Sequence, residues 1–294
     1  ALVSEVCGRA GGLMMIRPLP SGEFACGDVV LFFAGEGAER PAANGDGLVI
    51  SFGAGGSIPD HALEAGVSST VGMAASAWVF TGELIAALTR LSKMPVIYES
   101  IGAYGGFSRI SEFKNGEVAW HENHSVKPVA AGVMGRAYID SVRAMLRRIE
   151  KEHRRDLDKV GEWARSARSG GKRLYMYSMG HMLPDEIAKS DIGKLFRSGV
   201  WNAGFRNPRP DDEWRRGDLV VHVGYQHPPD DLLRRARTVG ARAVYVCIVS
   251  HRDFTRDANV VRIDPMWDWA DACVSLEGYD IPVLPVSGVI NSAI

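Results

Sequence analysis

The chain has 294 residues, of which 46 % are hydrophobic and 23 % charged, and its formal net charge is −1 at pH 7. This composition is ordinary for a globular protein of one large or two smaller domains, and the even charge balance argues against nucleic acid as a partner. The longest apolar runs are too short and broken to cross a bilayer, and no signal-peptide pattern begins the chain. The four cysteines lack zinc or disulfide spacing, so we expect a cytoplasmic protein without a metal site. We also expect no membrane partner and no cofactor.

The first part of the chain predicts a small α/β arrangement. The apolar run 26–33 is typical of a strand buried on both faces, residues 35–47 form a glycine-rich loop, and residues 48–52 form a second strand. Residues 71–91 are apolar almost throughout and predict a buried helix, with Ser69 or Thr70 as its N-cap. A short strand, 94–98, and a polar loop, 102–125, follow.

The second part predicts strands that alternate with helices. Apolar residues at helical spacing over 137–167 indicate a long amphipathic helix or helix pair, which Gly170-Gly171 ends. This alternation favours a parallel, doubly wound sheet. The elements predicted after the glycine pair are strand 173–178, helix 184–197, a proline-rich loop 207–212, strand 218–223, helix 229–238, and strands 242–249, 259–263 and 281–285.

Two segments of the chain echo each other. Cys26-Gly-Asp-Val-Val-Leu-Phe-Phe-Ala-Gly35 is similar to Arg216-Gly-Asp-Leu-Val-Val-His-Val-Gly-Tyr225, and residues 67–72 weakly parallel residues 285–289. A duplication would explain the echo. Chance would also explain it, because Gly-Asp is a common turn before a buried strand.

Residues 135–294 resemble the sugar isomerase (SIS) domain family of phosphosugar-binding α/β proteins. The resemblance is carried by the order of the long helix, Gly-Gly, the strand with its Met179-Gly180-His181 turn, the Gly-Asp strand, and three later segments: 239–246, 258–263 and 282–289. It implies a parallel doubly wound sheet with two similar halves, a reduced SIS-like half at 1–125 and an SIS-like domain at 126–294. It also implies a sugar phosphate or related carbohydrate derivative as ligand, aldose–ketose isomerisation as the reaction if the protein is an enzyme, and a homodimer or higher homo-oligomer.

The loops after the two Gly-Asp strands favour a second hypothesis. The family's phosphate loop is rich in serine and threonine, whereas residues 223–229 and 34–39 offer no run of hydroxyls. A non-catalytic sugar sensor or structural protein that retained the fold would explain this loss.

The candidate site residues follow the predicted strands, where free helix N–H groups and polar loops face ligands. His181 suits proton transfer because the unperturbed pKa of histidine lies near neutrality, although it could simply close a turn. The serines and Thr70 could bind an anion or cap helices. Gln226 and His227 could form a polar rim or an ordinary surface loop. Glu99 could be a base or a solvated surface group. The resulting assignments are catalytic His181 and Glu99, with ligand contacts from Ser178, Gly180, Ser68, Ser69, Thr70, Gln226, His227 and Ser287.

Two other patterns, a histidine-rich cluster and a basic stretch, each have an ordinary structural explanation. His121, Glu122 and His124 lie in the predicted loop without metalloprotease spacing, which is weak support for a metal site. The basic residues at 143–155 are interleaved with acidic ones, which is typical of a solvated helix face.

Overall fold

The computed structural model describes residues 7, 9, 11–16, 29–33, 48–52, 61–63, 70–118, 121–122, 126–179, 191, 193–200 and 213–294. The chain divides into two compact units. Unit 1 comprises Ala1–Ile139 and Ala272–Pro285, and unit 2 comprises Asp140–Asp271 and Val286–Ile294. The halves expected from the sequence, 1–125 and 126–294, stay a prediction, because a division by packing does not establish how the halves are related.

The described elements are numbered here in chain order. The strands are β1 Val29–Phe33, β2 Leu48–Phe52, β3 His61–Leu63, β4 Met94–Pro95, β5 His121–Glu122, β6 Leu174–Ser178, β7 Arg197–Val200, β8 Leu219–Val223, β9 Arg242–Val246, β10 Val260–Ile263, β11 Ala272–Leu276 and β12 Tyr279–Pro285. The α-helices are α1 Thr70–Arg90, α2 Ile101–Tyr104, α3 Gly106–Lys114, α4 Val133–Ser169, α5 Asp230–Val239 and α6 Ser287–Ala293.

Unit 2 is built on a five-stranded parallel sheet in the order β10-β9-β8-β6-β7. Its middle strands are nearly continuous apolar runs because both of their faces are covered. In β9, for example, Ala243 to Val246 are all buried. The chain is therefore an α/β protein with a parallel sheet, which confirms the predicted α/β class.

One face of this sheet packs against α5. The helix buries Leu232, Leu233 and Ala236, and the alanine follows the two leucines by four and three residues, as an amphipathic helix on a sheet requires. The same core contains the stacked rings of Tyr175 and Tyr177, whose centroids are 6.3 Å apart. The Trp214 indole N–H donates to the Tyr177 hydroxyl at 3.1 Å, so this buried polar pair is satisfied.

Unit 1 contains a smaller parallel sheet and an apolar helix. Strands β1, β2 and β3 pair in chain order, β4 pairs antiparallel with β5, and β11 with β12 forms an antiparallel hairpin. Contrary to the expectation that the apolar runs are too short, one helix within the described residues, Val71–Arg90, is long and apolar enough to cross a membrane by length and composition. Its Trp78 and Ile85 side chains are fully buried, so part of this helix belongs to the core of unit 1.

Helix α4 is one continuous helix of 37 residues rather than a helix pair. Its exposed side chains in unit 2 form i,i+4 ion pairs, such as Arg154 Nη1 with Glu150 Oε1 at 3.3 Å. The interleaved charges therefore form the solvated face that the sequence predicts.

Several predicted elements are wrong in detail. The predicted helix 184–197 has one 3₁₀ turn at Gly193–Leu195 and gives way to the edge strand β7 at Arg197; its residues 184–190 lie outside the described residues. The predicted loop 102–125 contains α2 and α3, whose glycines weaken the helical signal. The strand predicted at 281–285 belongs to β12 and is antiparallel to β11. Strand 242–249 ends at Val246.

Candidate functional site

The candidate site of unit 2 begins where the strand order reverses. Taken in chain order, the five strands of the sheet lie in the order 2-1-3-4-5, so the reversal falls between β6 and β8. Crevices at such switch points, outside the carboxyl ends of the strands, are where open parallel sheets bind ligands. Ser178 ends β6 in register with Val223 of β8, and the Met179 N–H donates to the Val223 carbonyl at 3.3 Å. Ser178 and the loop after β8 therefore meet at this edge.

The loop after β8 is held tightly against the chain that follows β9. The Ile248 N–H donates to the Tyr225 carbonyl at 3.3 Å, and the Val249 N–H donates to the Gln226 carbonyl at 3.0 Å. The Cys247 thiol donates to the His227 carbonyl at 3.0 Å. Burial raises the pKa of Cys247 to about 12, so this cysteine stays a protonated donor rather than a nucleophile.

Gly224 allows this close approach because it has no side chain. A Cβ at this position would lie 2.5 Å from the Cys247 Sγ and 2.9 Å from the Val246 carbonyl oxygen. Its own N–H donates to that carbonyl at 2.9 Å. Any larger residue would separate the two segments and move the loop.

A buried carboxylate supports the loop from behind. Asp271 is fully buried, and its Oδ2 accepts from the Tyr225 hydroxyl at 2.8 Å while its Oδ1 accepts from the Ser287 N–H at 2.9 Å. Asn291 donates to the Gly224 carbonyl at 3.0 Å and accepts from the Trp267 indole at 3.1 Å. These bonds connect the loop after β8 to the start of α6.

The outer rim of the loop carries the two predicted polar side chains. Gln226 donates through Nε2 to the Trp269 carbonyl at 3.3 Å. The exposed His227 ring lies edge-on to the Trp269 ring, with centroids 5.1 Å apart. Trp269 is itself 38 % exposed, so an aromatic surface adjoins the histidine.

A depression of about 670 Å³ opens beside this rim, within the size range of small-molecule sites. His251 lies in its wall: its Nε2 is 3.1 Å from the Asp230 Oδ1, and its Nδ1 accepts from the Asp253 N–H at 3.2 Å. Both ring nitrogens are therefore engaged within the protein. The lining residues are His227, Pro228, Asp230, Asp231, Val249, Ser250, His251 and Arg252.

The structure gathers some of the predicted site residues at this edge. Ser178, Gln226, His227 and Ser287 all belong to unit 2, where Gln226 and His227 lie at the rim. Ser178 and Ser287 are buried, the latter completely, and their contact with a ligand stays a prediction.

Four of the predicted residues, Gly180, His181, Ser68 and Ser69, fall outside the described residues. Thr70 is the first residue of α1.

Glu99 belongs to unit 1 and is mostly buried rather than solvated. Its Oε1 lies 3.4 Å from the Arg109 Nε, with the two side chains 16 % and 19 % exposed. Burial raises the pKa of Glu99, and the Arg109 charge opposes this shift. A raised pKa suits a general acid or base, although the burial of a purely structural carboxyl group produces the same shift.

Most of the residues that line the depression carry no functional signal in the sequence. Asp230 and Asp231 follow two prolines and open a helix, a pattern that predicts only a charged first turn. The pairing of Asp230 with His251 joins the start of α5 to the chain that follows β9, and no local pattern shows this contact. Among the described residues, no group of three His, Cys, Asp or Glu side chains is arranged to hold a metal ion.

Comparisons of the chain with protein-family models, with curated proteins and with solved structures yield no match.

Proposed function

We propose that unit 2 binds a small carbohydrate derivative at the carboxyl edge of its sheet, in a cytoplasmic protein whose sheet is doubly wound and SIS-like. Two observations carry this proposal: the reversal of strand order between β6 and β8, and a depression of suitable volume between the loops that follow β8 and β9, one strand further along the same edge. Ser178, Gln226 and His227 supply hydroxyl, amide and imidazole groups along this edge. These groups suit a ligand with many hydroxyls.

The two similar halves are part of the same proposal. In unit 1, β1, β2 and β3 are parallel and pair in chain order, as β8, β9 and β10 do in unit 2. The Gly-Asp segments 27–28 and 217–218 precede β1 and β8, which are the first strands of these two sets. This correspondence supports a duplication with a reduced first half.

Two activities fit such a ligand. An aldose–ketose isomerase would use His181 as the proton shuttle, with a homodimer or higher oligomer as the assembly. A non-catalytic sugar sensor is favoured by one specific observation: of the two histidines that line the depression, His251 has both ring nitrogens engaged. His227 is the lining imidazole whose ring nitrogens form no hydrogen bond within the described part of the chain.

Thermal unfolding against a panel of hexoses, pentoses, amino sugars and their phosphate esters tests binding. A binder raises the unfolding temperature, and the shift is expected to diminish in His227→Ala and Gln226→Ala. The exposed Asp280→Ala substitution, in the β12 hairpin of unit 1, is the control. A panel that leaves the unfolding temperature unchanged at millimolar sugar, or a shift that both variants retain in full, would contradict the proposal.

Turnover of any ligand so found distinguishes the two activities. Interconversion of aldose and ketose that disappears in His181→Ala supports the isomerase. Binding without interconversion in the parent protein supports the sensor, and interconversion that survives in His181→Ala removes this residue from the mechanism.

A further inference from the structure

The charge of the depression beside His227 bears on the class of sugar that it accepts. Two carboxylates, Asp230 and Asp231, and one guanidinium, Arg252, line it. The His251 Nε2 faces the Asp230 carboxylate at 3.1 Å, and its Nδ1 accepts from the Asp253 N–H, so both ring nitrogens are already engaged. The two carboxylates and the one guanidinium together give the lining a formal charge of −1, the imidazoles left aside.

The start of α5 is occupied by acceptors from the chain itself. A helix N-terminus attracts phosphate because its first N–H groups lack partners within the helix. Here the Asp230 N–H donates to the Pro228 carbonyl at 3.1 Å and the Leu233 N–H to the Pro229 carbonyl at 2.9 Å. The Leu232 N–H donates to the Asp231 Oδ1 at 2.9 Å. The Leu233 bond is the first bond of the helix itself, and the other two bonds pair two of the three N–H groups at residues 230–232 that the helix leaves without a partner.

The helix dipole also stabilises the two aspartates. Both lie in the first turn of α5, where a negative side chain is stabilised by the partial positive charge of the helix end. A phosphate at this point would meet two fixed negative charges and few available donors. The start of α5 is therefore an unfavourable position for a phosphate.

The same groups suit hydroxyl and ammonium donors. The carboxylate oxygens of Asp230 and Asp231 accept hydrogen bonds, Asp230 being 53 % exposed, and the Ser250 hydroxyl and the His227 ring add further polar atoms. Pro228 and Val249 offer apolar contact for the carbon face of a ring. The lining thus combines acceptors, apolar surface and excess negative charge.

We infer that the depression binds an unphosphorylated, polyhydroxylated ligand, neutral or bearing an amine, and disfavours sugar phosphates. This inference rests on the proposed function and narrows its ligand class. Repulsion between a phosphate dianion and two carboxylates at close range is expected to weaken binding by about tenfold or more, even at the high dielectric of an exposed site.

Isothermal titration calorimetry with matched pairs tests the inference: glucose with glucose 6-phosphate, and glucosamine with glucosamine 6-phosphate. The unphosphorylated member of a pair is expected to bind at least about tenfold more tightly. Asp230→Asn with Asp231→Asn is expected to raise phosphate-ester affinity by a similar factor. Each asparagine retains a side-chain oxygen to accept from the His251 ring or the Leu232 N–H. The exposed Asp280→Asn, far along the chain in the other unit, is expected to leave both affinities unchanged.

The outcomes separate this inference from the proposed function. If a phosphate ester binds as tightly as its parent sugar, or more tightly, the inference is overturned while carbohydrate binding stands. If the double variant gains no phosphate-ester affinity, the electrostatic reason is wrong. If no member of either pair binds, and no sugar in the wider thermal panel does, the proposed function fails and the inference fails with it.

Discussion

Replacement of Asp271 tests whether this buried carboxylate holds the loop at the candidate site. Its two oxygens accept from the Tyr225 hydroxyl at 2.8 Å and from the Ser287 N–H at 2.9 Å. Hydrogen bonds to a charged group contribute about 1.5–3 kcal/mol each, so Asp271→Ala is expected to cost about 3–6 kcal/mol. The residue also has a φ of 54°, a left-handed conformation that aspartate and asparagine tolerate better than alanine.

Asp271→Asn removes the carboxylate charge and retains the size and shape of the side chain. The asparagine tolerates the same φ, and its carbonyl oxygen remains to accept from the Ser287 N–H. The Tyr225 hydroxyl can turn to accept from the new amide. We expect a loss of only about 1–2 kcal/mol, because one acceptor and the charge are removed without leaving a cavity.

Urea denaturation followed by tryptophan fluorescence measures these changes, since Trp163, Trp214 and Trp267 all belong to unit 2. The exposed Asp280→Ala is the control, with an expected change within about 0.5 kcal/mol. The free energies are compared between variants of equal m-value. A loss below about 1 kcal/mol for Asp271→Ala, or equal losses for Ala and Asn, would refute the reasoning.

Three further predictions concern packing and pH. Gly224→Ala is expected to destabilise unit 2 by more than about 2 kcal/mol, because the new Cβ meets the Cys247 sulphur. Gly161→Ala on α4, where the nearest atom is 3.5 Å away, is expected to be neutral or stabilising by up to about 1 kcal/mol. Equal effects of the two substitutions in urea denaturation would contradict this packing argument. The Cys247 thiol has an ordinary pKa of 9.0 and a folded pKa of about 12, so the unfolded chain releases its proton first and stability falls as pH rises from 9 to 12. Cys247→Ala is expected to flatten that part of the curve, and an unchanged slope would show that the thiol is not the cause. Burial likewise raises the pKa of Glu99 above its ordinary value of 4.5, so the contribution of this carboxyl group to stability falls as pH rises from 4.5 through the folded-state pKa. Glu99→Gln is expected to remove this decline in stability. A steeper decline in the variant would show that the Arg109 pair dominates.

The sequence predicts the elements whose signal is local. The apolar runs that become β6 and β8 and the amphipathic pattern of α5 fall within one or two residues of their observed bounds. Strand β7 was missed because four residues with an internal glycine, Arg197–Val200, carry little strand signal. An edge strand of this kind depends on pairing with β6 rather than on its own composition.

The site is less predictable than the fold because its contacts are distant in sequence. Gln226 and His227 could be assigned to the rim because they follow a recognisable strand. Tyr225 and Asp271 are 46 residues apart, and their hydrogen bond is a product of tertiary packing. The pairing of Asp230 with His251 is likewise a tertiary contact, which joins the start of α5 to the chain that follows β9.

The most direct test of the central claim is a two-dimensional NMR titration of protein labelled with ¹⁵N-tryptophan, using the sugar that most raises the unfolding temperature. Trp269 lies beside His227 at the rim and is 38 % exposed, whereas Trp78 is fully buried in unit 1. Sugar binding at the carboxyl edge of the unit 2 sheet predicts a saturable shift of the Trp269 indole resonance, assigned with Trp269→Phe, and no change at Trp78. Saturable binding that leaves the Trp269 resonance unmoved would contradict the claim.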